Sequence, residues 1–125
     1  MNKIFWVSRH DLSAAQLQAI KELHGDDAVV TKDPVVFNGI VDLETYIREH
    51  SDGFVYVVAG AAHYIHAAFA GCTFGIFENH PQKRHDGTFG LSSVYHVGNN
   101  QIVKAWINPD PMGDEGEALI PILRK

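Results

Sequence analysis

The chain has 125 residues, 46% hydrophobic and 20% charged, with a formal charge of −5. That length suits one domain with one core, and the acidic balance excludes broad, sequence-blind binding to long nucleic acid, which needs a basic face. A single cysteine, Cys72, excludes an intrachain disulfide and suits a reducing compartment; no apolar run approaches the ~20 residues that span a bilayer and no leader pattern opens the chain, so the sequence predicts a cytoplasmic protein without membrane contact.

Residues 3–7 are short, apolar and continuous, the pattern of a strand buried on both faces. Ser13 with Gln16 forms a capping box, and Leu12 with Leu17 a hydrophobic staple. Leu17, Ile20 and Leu23 follow at helical spacing up to Gly25, a natural stop. Residues 28–31 read as a second strand that Pro34 ends, with 35–37 extended. Ile40, Leu43 and Ile47 mark a second amphipathic helix ending near 50–53. Residues 54–59 form the clearest buried strand. Gly60 turns the chain into a small-residue helix over 61–70, closed by Gly71, and 73–77 is a fourth strand. This alternation over residues 1–80 predicts an α/β, three-layer Rossmann-like domain with a mainly parallel sheet. The polar stretch 78–90 reads as a long loop. Residues 91–97 and 101–107, joined by Gly98-Asn99-Asn100, read as a C-terminal β-hairpin. The tail 108–125 is expected to be irregular, with 118–123 docking as an edge segment. One domain covers 1–125.

Open parallel sheets hold ligands outside the carboxyl ends of their strands. Three turns qualify. The first strand delivers Ser8, Arg9 and His10; the third delivers Ala59, Gly60, Ala61 and His63; the fourth delivers Glu78, Asn79 and His80. If these strands are neighbours, the three turns converge. The helix starting at Ala61 then points free N–H groups at an anion, Gly60 lets a ligand approach the backbone, and Arg9 binds phosphate bidentately. Each piece also has a plain reading: polar residues leaving a core strand, and a glycine at a tight corner. No dinucleotide fingerprint or Walker lysine is present, so no nicotinamide or ATP cofactor is expected. Eight histidines invite a metal, and His63 and His66 share a helical face. Without three or four convergent ligands at ligand spacing, none is assigned. Lys83-Arg84, beside His80 and His85, is the one basic cluster. It reads as a solvated loop, or as an arm that closes over an anionic ligand.

The opening Phe5-Trp6-Val7-Ser8-Arg9-His10, continued by Leu12-Ser13 and Gln16-Leu17, resembles small stand-alone CARF-like CRISPR-associated proteins and related phage or mobile-element proteins. The likeness covers the first 20 residues by motif and the first 80 by element order. It implies a homodimer that binds a cyclic oligoadenylate across its two-fold axis, with metal-independent ring cleavage as a further possibility. On that footing Arg9 stabilises developing charge, His10 or His63 moves protons, and Ser8 positions a phosphate oxygen; Ala59, Gly60, Ala61, Asn79 and His80 complete the ligand contacts. Two readings of other classes compete. One is a non-enzymatic interaction protein using the hairpin and tail. The other is a small histidine-dependent metal enzyme.

Overall fold

The computed structural model describes residues 2–113 and the backbone of 122–124. In chain order the elements are β1 (Lys3–Val7), α1 (Ala14–His24), β2 (Val29–Asp33), α2 (Asp42–Glu49), β3 (Phe54–Val57), α3 (Ala61–Phe69), β4 (Phe74–Lys83), β5 (Phe89–Gly98), β6 (Gln101–Ile107) and β7 (Ile122–Arg124).

The first helix starts where its capping residues require. Ser13 Oγ accepts the Gln16 N–H (3.1 Å), and Gln16 Oε1 accepts the Ser13 N–H (2.8 Å). Gly25, at φ +107°, ends it. The second helix begins later than the apolar spacing predicts. Ile40 stays 55% exposed, and the Asp42 carboxylate instead accepts the N–H groups of Asn38 and Gly39. Between β5 and β6, Asn99 (φ 52°) and Asn100 (φ 58°) both adopt positive φ, the two-residue turn whose twist matches a hairpin.

One sheet runs β6-β5-β4-β3-β1-β2-β7. The pairs β4–β3, β3–β1, β1–β2 and β2–β7 are parallel. The β4–β5 and β5–β6 pairs are antiparallel. This corrects the expected mainly parallel, Rossmann-like three-layer domain: the sheet is mixed and strand-rich. The strands β4 and β5 run ten residues each and β6 seven, against three to five for the other four. The long loop expected over 78–90 is for the most part strand, with only 84–88 joining β4 to β5. Polar residues sit there because this end of the hairpin has few core neighbours, so the period-2 apolar signal is missing. Of the edge segment expected over 118–123, only the backbone of Ile122 and Leu123 lies within the described residues, paired with β2.

Two apolar clusters flank the sheet. On one face Ile4 and Trp6 pack with Leu17 and Ile20 of α1 and with Tyr56, Leu91 and Val94. On the other, Phe5 and Val7 pack with Leu43 and Tyr46 of α2, Ala67 of α3, and Val55, Val57 and Phe74. Alternate residues of β1 thus enter opposite clusters, which explains its unbroken apolar run. Fully burying each such side chain is worth about 1.5–3 kcal/mol. Among the described residues no helix is long and apolar enough to cross a membrane.

Candidate functional site

The β1 and β3 strands are parallel neighbours, and the chain leaves β1 for α1 on one face and β3 for α3 on the other. A crevice opens where two such exits diverge. Here it is a hollow of about 200 Å³. Ser8, Arg9 and His10 line it after β1; Val58, Ala59, Gly60 and His63 line it after β3; Val35, Val36 and Phe37 close it from the segment after β2. Two of the three predicted turns meet there, although Ala61 of the second is not among the lining residues.

The backbone after β1 is held from several sides. Ser8 is buried and its Oγ accepts the His10 N–H (3.1 Å). Trp6 Nε1 donates to the His10 carbonyl (2.7 Å). Buried Lys32, at the end of β2, donates from Nζ to the Arg9 carbonyl (3.0 Å) and to Asp11 Oδ1 (2.8 Å). The side chains of Arg9 and His10 are left exposed. Arg9 makes no ion pair with a described residue.

The start of α3 is equally committed. The Ala59 N–H donates to the Tyr64 hydroxyl (2.8 Å), and the Gly60 N–H donates to His63 Nδ1 (3.2 Å). The N–H groups of Ala61 and Ala62, the first two of the helix, have no intrahelical partner by geometry. Because Nδ1 of His63 accepts, the neutral ring carries its hydrogen on Nε2. That atom is buried and unpartnered among the described residues. A buried donor left unmade costs about 1–3 kcal/mol. The His63 ring lies 6.0 Å from that of Phe37. Outside the hollow, the N–H groups of Gly39 and Asn38 hold the Asp42 carboxyl below its usual range, and His63 adds a smaller pull.

The third predicted turn is elsewhere. Glu78, Asn79 and His80 lie within β4 and do not line the hollow. Glu78 Oε1 accepts from Ser93 Oγ (3.0 Å) and the Tyr95 hydroxyl (3.4 Å). Asn79 faces Leu91 across the ladder. His80 Nδ1 accepts the Gln82 N–H (3.2 Å). Sequence reasoning passed over Lys32, Val35, Val36, Phe37 and Tyr64. A lysine at the end of an apolar strand, two residues before Pro34, was the one available signal.

The metal reading finds no cluster: among the described residues no three His, Cys, Asp or Glu side chains converge. His66 Nε2 bonds Glu44 Oε1 (2.7 Å), away from the His63 contact. A separate polar group sits between the end of α1 and the sheet. The Tyr56 hydroxyl lies 2.7 Å from His24 Nε2 and 2.8 Å from His96 Nε2. Tyr56 reaches His96 across Gly75, which stands between them in the ladder; a Cβ on Gly75 would overlap the Tyr56 ring. Burial, and to a lesser degree His96, pushes the His24 pKa down to about 4. Burial also lowers that of His96 and raises that of Tyr56.

A scan against protein-family models, a search of curated proteins and a search of solved structures each return no match.

Proposed function

We propose that the hollow between the β1 and β3 exits binds a small phosphate-bearing, nucleotide-type ligand, its phosphate held between Arg9 and the start of α3. The observation that carries this reading is the exposed Arg9 side chain, which makes no ion pair with a described residue, on a hollow whose lining holds no carboxylate, within a chain of formal charge −5. Beside the hollow, the N–H groups of Ala61 and Ala62 at the start of α3 add the positive end of a helix dipole, although neither residue is among those that line it. Such a set asks for an acceptor-rich, anionic occupant.

Volume limits that occupant. Ligand pockets usually run about 300–1,000 Å³, and this one holds about 200 Å³. That favours a phosphate with its sugar over a whole cyclic oligoadenylate. A cyclic ligand would require two hollows facing each other across a two-fold axis, which is how the homodimer expectation stands. Binding is favoured over cleavage. His63 Nδ1 is already taken up accepting the Gly60 N–H, which occupies one of the two imidazoles that cleavage would draw on.

Isothermal titration of the whole chain with AMP tests this. One AMP per protomer is expected, with affinity reduced about 10- to 100-fold in Arg9→Ala, the range of a hydrogen bond to a charged group. Unchanged affinity in Arg9→Ala contradicts the assignment. The interaction-protein reading draws on a different observation: Phe69 is 81% exposed and Ile102 67%, beside an apolar groove between α3 and the β5–β6 turn. Sedimentation of Phe69→Lys tests it, since self-association that persists unchanged leaves that groove without a role.

A further inference from the structure

The antiparallel hairpin places a second basic element at the same end of the sheet as the hollow. The β3 strand ends at Val57, whereas its parallel neighbour β4 continues from Gly75, opposite Tyr56, as far as Lys83. The β4–β5 hairpin therefore extends past the carboxyl edge on which the Ser8–His10 and Val58–Gly60 turns open. Its base stands one strand from β3 and two from β1, about 5 and 10 Å at the usual strand spacing.

The arm's cations gather towards its tip. His80, Lys83, Arg84 and His85 lie there with Asp86, and Glu78 stands nearer the base. Both carboxylates are taken up locally: Asp86 accepts from the N–H (2.9 Å) and the hydroxyl (2.6 Å) of Thr88, and Glu78 from Ser93 Oγ and the Tyr95 hydroxyl. Elsewhere Lys3, Lys21, Lys32 and Arg48 pair with carboxylates, and Lys104 lies over the Tyr95 ring. Arg9 and Lys83 form no ion pair with a described residue; Arg9 stands at this edge, and Lys83 at the far end of the arm, seven residues past Ile76 and so roughly 20 Å along the strand. Lys83 Nζ lies 5.5 Å from the centre of the Phe89 ring, which is 47% exposed. Lys83 thus lies over an aromatic ring as Lys104 does, but on a ring that keeps about half its surface exposed. A cation and an exposed aromatic are the two groups with which proteins hold single-stranded nucleic acid, one for a phosphate and one for a base.

We propose that the arm is the second contact of a short single-stranded oligonucleotide whose terminal phosphate occupies the hollow, with a following phosphate on Lys83 and a base on Phe89. This rests on the reading of the hollow as a phosphate site and extends it to a ligand carrying more than one phosphate. The test is fluorescence anisotropy of a 3′-labelled, 5′-phosphorylated pentaadenylate, alongside AMP titration of the same proteins. Lys83→Gln is expected to reduce the slope of log affinity against log salt by about one, and Phe89→Ser to weaken the pentaadenylate about tenfold; AMP affinity is unchanged in both. Pentaadenylate binding that survives both substitutions, or that is absent in the intact chain, overturns the arm and leaves the hollow standing. AMP affinity that survives Arg9→Ala overturns the hollow instead.

Discussion

Lys32 separates folding from binding at the scale of one residue. Its ammonium is buried, whereas its partner Asp11 is 65% exposed. Removing the lysine therefore strands no buried charge, and an apolar replacement of similar shape is often neutral for stability. Lys32→Met is expected to change the melting temperature by only a few degrees while weakening AMP binding severalfold, because the Arg9 carbonyl loses its anchor. Calorimetry with a thermal melt checks both halves; equal loss of stability and binding would contradict the separation. Gly75 behaves oppositely. A Cβ there meets the Tyr56 ring, so Gly75→Ala is expected to cost about 1–3 kcal/mol in urea unfolding, the usual range for overpacking. Arg9 and Gly60 were legible in the sequence because strand ends and a glycine corner announce themselves locally. Lys32 and the His63 tautomer were not. The first depends on a bond to a carbonyl 23 positions away, and the second on which ring nitrogen faces its own helix start.

Among elements, α1 was the most legible. Its cap, staple and stop are all local signals, and all three are present. Ser13→Ala is expected to destabilise the fold by about 0.5–2 kcal/mol, read as a lower urea midpoint with an unchanged slope. The strand β1 was legible to the residue, because burial on both faces leaves an unbroken apolar run. The β4–β5 hairpin was not. Residues 78–83 carry Pro81 and mostly polar side chains, a loop signal by composition, yet pairing with β5 is shifted in register between Glu78 and Asn79 and again before Lys83. Such bulges let a strand continue with unpaired residues. Once that stretch was taken for a loop, the parallel half appeared to be the whole sheet. The Asn79 and His80 side chains were accordingly expected in a pocket that they do not line.

On the scale of the whole molecule, the His24–Tyr56–His96 group ties α1, β3 and β5 together and makes stability depend on pH. With His24 lowered to about 4 in the fold, the unfolded chain binds more protons between that value and about 6.5. The stabilisation is thus full above pH 6.5 and is lost as pH falls towards 4. The ring is only half-buried, so the effect is limited to roughly 1–2 kcal/mol. Asp42, Asp52 and Asp86 also have lowered values, but starting from 3.8 they act below that window. Melting temperature measured from pH 7 to 4.5 is expected to fall by several degrees, and His24→Gln to flatten the fall; an identical slope in that variant would contradict the assignment. The parallel half of the sheet leaves a carboxylate-free hollow where the chain exits β1 and β3, and the functional account depends on its occupancy. Titrating AMP into ¹⁵N-labelled protein and following backbone amide shifts tests this most directly. The account predicts saturable shifts at Arg9, His10, Gly60, Ala61 and Ala62 with little change at Ile65, Phe69 and Ile102; shifts confined to the second set, or none at all, would contradict it.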